Sequence, residues 1–170
     1  GVRTLEDIQA LLLAGADKVS INTGGFLNPS LIQKAAEHFG SQSIVAGVDV
    51  KKVGDDCWHV FINGGTQDAG VEARAWIARA VELGAGEVLL TSIDRDGTKA
   101  GYDTALVKAI AKTVRIPIIA SGGAGSMADI RDVLNAGADA ALLASLFHFG
   151  EVTVRELKQY LKREGIAVRL

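Results

Sequence analysis

The residues best suited to chemistry stand at the ends of apolar runs. Ser121-Gly122-Gly123 closes the run Ile116-Pro117-Ile118-Ile119-Ala120 and opens into a segment that Ser126 is placed to cap as a helix. Glycines let an anion approach the backbone, and a helix N-terminus supplies N–H donors and a favourable dipole. Ala144-Ser145 ends the next apolar run, so the pairing predicts a phosphate site shared by two neighbouring strand ends rather than an ordinary Gly-rich turn. Asp49 ends a third run, GVDV, where a carboxylate serves either as a general acid or base or as a cap on the following loop. A fourth run leads into Thr91-Ser92-Ile93-Asp94-Arg95-Asp96-Gly97-Thr98, in which Thr91 and Asp96 are candidate substrate contacts.

The chain also repeats itself. GVRTLEDIQALLLAGAD at 1–17 recurs as GAGSMADIRDVLNAGAD at 123–139, with Gly1/Gly123, Asp7/Asp129, Ile8/Ile130, Leu12/Leu134 and the run AGAD in common. Such self-similarity marks one supersecondary unit used twice. By the same spacing Asn22-Thr23 matches Ala144-Ser145. A second phosphate site at Gly1, Asn22 and Thr23 follows, unless the repeat preserves only the fold. Two phosphate sites flanking Asp49 imply an elongated bisphosphorylated small molecule. By that symmetry a second carboxylate facing Asp49 belongs to a strand that would precede Gly1, and a facing pair lets burial and repulsion set the two pKa values apart.

Composition narrows the class. Of the 170 residues 48% are hydrophobic but only 5% aromatic, which suits parallel strands buried beneath helices. A net charge of −2 with both signs dispersed gives no nucleic-acid surface. Cys57 is the single cysteine, so no internal disulfide framework exists and a reducing, cytoplasmic setting is expected. His38, His59 and His148 lack metal-ligand spacing, so no metal site is expected. No apolar run is long enough to span a bilayer, and no signal peptide is seen.

Five strands and six helices must position these groups. The strands are expected at Lys18–Asn22, Ile44–Val50, Glu87–Ile93, Ile116–Ser121 and Ala140–Ser145. The helices carry apolar faces at Leu5/Ile8/Leu11/Leu12, at Leu31/Ile32/Ala35/Phe39 after an Asn28-Pro29 start, over Val71–Leu83, over Thr104–Thr113 behind an Asp103 cap, after Ser126, and at Val154/Leu157/Tyr160/Leu161. Residues 51–69 read as a short hairpin over one rim. Such β/α units wind right-handed into a parallel sheet. The first helix has no strand before it, and the repeat places the counterpart of IVAGVDV about 80 residues before Gly1, giving about 250 in all, the usual length of an eight-stranded β/α barrel. The fold expected is therefore an α/β (β/α)8 TIM barrel, of which residues 1–170 supply the C-terminal part as a single domain. A small doubly wound sheet is the alternative.

LLTSIDRDGTKAGYD, IIASGGAG, GADAALLASLFH and the tail RELKQYLKREGIAVR together resemble the cyclase subunit of imidazole glycerol phosphate synthase, from histidine biosynthesis. The resemblance covers the whole chain. It implies a lyase-type reaction without metal or organic cofactor. Ammonia from a glutaminase partner subunit attacks phosphoribulosyl-formimino-aminoimidazole-carboxamide ribotide, giving imidazole glycerol phosphate and aminoimidazole-carboxamide ribotide. Asp49 then matches one of two catalytic aspartates, the other lying on the first strand of the family, before Gly1. Thr91 and Ser121 position substrate, with Asp96 assisting. Gly1, Asn22 and Thr23 hold one phosphate, and Gly97, Gly122, Gly123, Ala144 and Ser145 hold the other. Lys18 and Glu87 match a charged gate for ammonia on the opposite face, or form a plain salt bridge there, and Asp17 lies near the glutaminase. With one aspartate absent, this chain alone is expected to be inactive. DGT is shared with the sister phosphoribosyl-formimino isomerase, which is one alternative. An inactive half-barrel that binds phosphates or self-associates is another.

Overall fold

The computed structural model describes residues 1–169. Five parallel strands form the frame in the order β1 (Val19–Ile21), β2 (Ile44–Gly54), β5 (Glu87–Ser92), β6 (Ile118–Ser121), β7 (Ala140–Leu142), each paired with its neighbour in sequence order. Helices α1 (Leu5–Leu13), α3 (Pro29–Phe39), α4 (Ala73–Glu82), α5 (Thr104–Thr113), α6 (Met127–Asn135) and α8 (Val154–Arg163) alternate with them. This is the expected set of five strands and six helices, and the arrangement is that of consecutive units of a β/α barrel.

One face of the sheet is sealed by the helices. Val48 and Val50 on β2, Val88 and Leu90 on β5 and Ala120 on β6 are 0–1% exposed, and α3, α4 and α5 pack on these strands. The opposite face carries Ser20, Asp49, Thr91 and Ser121, is only partly buried, and becomes exposed at Ala140 and Leu142 on β7. Among the described residues no helix is long and apolar enough to cross a membrane.

Several boundaries differ from expectation, each for a local reason. β2 runs past Val50 because its outer half pairs antiparallel with β3 (Cys57–Ile62), on the edge where its inner half pairs with β1. β4 (Gln67–Glu72) adds a further antiparallel strand through Phe61↔Asp68 and His59↔Glu72. Glu72 then caps α4 through the Ala75 N–H, so that helix begins at Ala73, not Val71. β6 begins at Ile118, past the proline. β7 stops at Leu142, because Ala144 has already turned (φ −114°, ψ −58°) and Ser145 opens the short helix α7 (Ser145–His148). A short helix α2 (Thr23–Leu27) was likewise unexpected. Asn28 precedes Pro29 as expected, but its side-chain oxygen accepts from Ser30 Oγ rather than capping α3. Leu11 (43%) and Val154 (52%) are exposed, so the apolar faces of α1 and α8 narrow to Leu5, Ile8 and Leu12 and to Leu157, Tyr160 and Leu161.

Candidate functional site

Sheet register assembles the site. Asp49 on β2 lies opposite Thr91 on β5, Thr91 opposite Ser121 on β6, and Ser121 opposite Leu142 on β7. Three polar side chains thus form one row across three strand ends, on the face the helices leave open. The Asp49 carboxylate is half-buried and accepts a 3.0 Å bond from the Asn22 side-chain amide. Burial raises its pKa above the ordinary aspartate value, the Asn22 and Thr91 side chains pull it back, and the negative charge of Asp96 pushes it up again. A carboxyl group held closer to neutrality exchanges a proton more readily.

Beyond one end of the row lies a cleft of about 230 Å³. It gathers Gly97, Gly122, Gly123, Ala144 and Ser145, the expected phosphate set, with Asp96 and Ser121, expected to assist and to position substrate, and with Lys99 and Leu143, which sequence reasoning missed. Gly122 has φ +92° and a Cβ there would meet the Ser92 carbonyl at 2.8 Å; Gly123 has φ +109° and packs on the Gly101 carbonyl. Both positions need glycine. The walls are fastened to one another: the Gly101 N–H donates to Gly123 O at 2.8 Å, and the buried Tyr102 hydroxyl donates to Leu142 O at 2.9 Å. Burial raises the Tyr102 pKa, which keeps that hydroxyl a donor.

Beyond the other end a second cleft, of about 280 Å³, gathers Gly1, Asn22 and Thr23 with Arg3, Asn63 and Gly64. The last three were not anticipated. Arg3 corresponds in the repeat to Gly125, so the symmetry that finds Gly1 conceals it. Asn63 belongs to the hairpin turn, and its N–H donates to Thr23 Oγ1 at 2.9 Å, a contact across the fold that carries no local signal.

The hairpin also holds the loop after β5. The Asp94 carboxylate accepts from the Lys52 N–H at 2.7 Å, and Asp103 accepts from the buried Trp58 indole at 3.1 Å while capping α5. Arg95 turns to Ala100 O instead of pairing with Asp94.

Lys18 and Glu87 are ion-paired at the starts of β1 and β5, at the end of the sheet opposite Asp49. Asp17 is exposed beside them. Cys57 is free and lies on the hairpin, away from the row. Among the described residues no group of His, Cys, Asp and Glu is arranged to hold a metal.

Comparison with known proteins agrees with this architecture. Residues 1–153 match the histidine biosynthesis protein family. The whole chain is 56% identical over 170 residues to imidazole glycerol phosphate synthase subunit HisF of Helicobacter hepaticus, covering 67% of that protein. The chain belongs to the histidine biosynthesis protein family, and within it to the cyclase subunits of imidazole glycerol phosphate synthase.

Proposed function

We propose that Asp49 is an acid–base catalyst of the cyclase reaction and that the two clefts hold the two phosphates of its substrate. The observation that carries this reading is the placement of a half-buried carboxyl group between two clefts built from the two copies of one repeat. Ammonia supplied by a glutaminase partner attacks the phosphoribulosyl-formimino ribotide, and lyase-type cleavage with ring closure releases imidazole glycerol phosphate and aminoimidazole-carboxamide ribotide. Each step moves a proton to or from nitrogen or oxygen. The raised pKa of Asp49 suits it to that transfer, with the Asn22 amide fixing its orientation.

Thr91 and Ser121 flank Asp49 in register and are placed to bond the substrate between its phosphates. Asp96, at the rim of the first cleft, acts with them. Backbone groups of Gly97, Gly122 and Gly123, with Ala144 and Ser145, take one phosphate; Gly1, Asn22 and Thr23 take the other. The Lys18–Glu87 pair stands where ammonia enters, near Asp17 and the glutaminase. Glu87, Leu89 and Thr91 alternate along one face of β5 and lead from that pair to the row. The free thiol of Cys57 suits the reducing conditions of the cytoplasm.

Binding and ammonia-dependent turnover of the bisphosphate substrate, measured on the polypeptide that carries this sequence, test the proposal. Asp49→Asn should leave binding within a few-fold and lower turnover by about 10²–10⁴-fold. Preferential turnover of the isomerase's substrate, or full activity in Asp49→Asn, would refute the assignment.

A further inference from the structure

Among the described residues, Lys99 is the one cation lining the cleft between β5 and β7, and Asp96 is the one anion. A phosphoryl group entering there carries about −1.5 to −2 charge at neutral pH and meets the Asp96 carboxylate. Backbone N–H groups and the helix N-terminus favour an anion there, and Lys99 is the one lining side chain whose charge opposes that of Asp96. The neighbouring cation, Arg95, is turned to Ala100 O.

Lys99 is held in a particular way. Its backbone is fixed: φ is +55°, and its carbonyl packs so closely on Gly125 that no Cβ fits there. The next N–H, of Ala100, is bonded to Thr98 Oγ1. Its side chain, in contrast, reaches across the rim to Glu151 and lies 5.8 Å from the centre of the Phe149 ring. Lys99 and Glu151 are 44% and 42% exposed. An ion pair so open to water contributes little and is screened by salt. A fixed backbone with a weakly held ammonium at the mouth of an anion-sized cleft is an arrangement for exchange.

We infer that Lys99 is a switchable counter-ion, resting on Glu151 when the cleft is empty and turning to the phosphoryl group when one is bound. The inference rests on the phosphate reading of this cleft and adds a residue and a competitor to it. Glu151 sets the affinity by competing for the lysine, so the two residues have opposite effects on binding.

The test is inorganic phosphate titrated into the full chain and followed by amide NMR. Gly97, Gly122 and Gly123 report on this cleft, and Thr23 and Gly24 report on the other. Lys99→Met should weaken binding at the first cleft about tenfold, and Lys99→Arg should restore most of it. Glu151→Gln, which keeps the lysine and leaves the cleft walls intact, should strengthen binding about two- to fivefold, less at high salt. None of the three changes should alter the second cleft. If Lys99→Met binds as well as the parent, or Glu151→Gln binds more weakly, the switch is wrong while the phosphate site stands. Absence of any phosphate-dependent shift at Gly97, Gly122 and Gly123 in the parent chain would overturn both.

Discussion

The two copies of the repeated unit share most of their capping bonds, differing in that the Thr4 N–H donates to Asp7 in the first whereas the Ser126 hydroxyl donates to Asp129 in the second, and they sit in different surroundings. In the first, the Asp7 carboxylate accepts from the Arg3 and Thr4 N–H groups, and Thr4 Oγ1 caps α1 at the Asp7 N–H. In the second, Asp129 accepts from the Gly125 N–H, and Ser126 Oγ caps α6 at the Asp129 N–H. Both helices end alike: Gly15 (φ +104°) and Gly137 (φ +110°) turn the chain, and the Ala16 and Ala138 N–H groups return to Leu11 O and Val133 O. The surroundings part them. α6 buries Ile130 and Val133, whereas α1 buries Ile8 alone and leaves Leu13 80% exposed. The two caps are similar, and packing rather than capping supplies most helix stability.

The largest effect is expected at Gly123, where a Cβ would be forced against the Gly101 carbonyl with φ at +109°. Gly123→Ala should cost about 1–3 kcal/mol and abolish phosphate binding in the β5–β7 cleft. The urea midpoint and a phosphate titration of the variant check this, and an unchanged midpoint would show that the position tolerates a side chain.

Removing the caps should give a smaller contrast. Ser126→Ala takes a bond from a helix built into the core and should cost about 1 kcal/mol in global stability. Thr4→Ala removes the equivalent bond from a helix in which Ile8 is buried and Leu5 and Leu12 are partly buried against the core. Its effect should appear as faster amide exchange in the first turn of α1, with a smaller change in the urea midpoint. Equal midpoint shifts would mean that α1 is as firmly docked as α6.

What was legible in the sequence follows the same division between local and distant causes. α5 matched its expected bounds because Asp103 caps it locally and Leu106, Val107 and Ile110 recur with helical period. The five parallel strands were legible as apolar runs bounded by turns. α2 was not, since Thr-Gly-Gly-Phe-Leu has no apolar period; it forms where Asn22 O accepts from the Gly25 and Phe26 N–H groups. β4 reads Gln-Asp-Ala-Gly-Val-Glu and owes its form to pairing with β3. Within the candidate site, the Ser121-Gly122-Gly123 turn announces itself by position at a strand end and Asp49 by closing the run GVDV, although β2 continues past it to Gly54. Asn22, a candidate phosphate ligand, lines the second cleft, and its side-chain amide also bonds Asp49, a contact that no spacing encodes. Arg3, Asn63 and Lys99 reach their clefts from loops, for the same reason.

The smallest effect concerns pH, and it separates geometry from charge in the first copy. The Arg3 and Thr4 N–H groups hold the Asp7 carboxyl below the ordinary aspartate value of 3.8. The unfolded chain therefore binds the proton more tightly than the folded one, so this contribution to stability is complete above 3.8 and is lost as pH falls through the lowered value. Asp7 is exposed, so the loss should be local: protection factors at the start of α1, taken relative to the slower intrinsic exchange in acid, should fall on acidification while the core strands stay protected. Asp7→Asn keeps an acceptor oxygen for the same two N–H groups but removes the charge. It should abolish the pH dependence and retain part of the cap. If acidification lowers protection equally in Asp7→Asn, the sensitivity arises elsewhere, and the likeness of the two caps is one of shape without a role for the carboxylate charge.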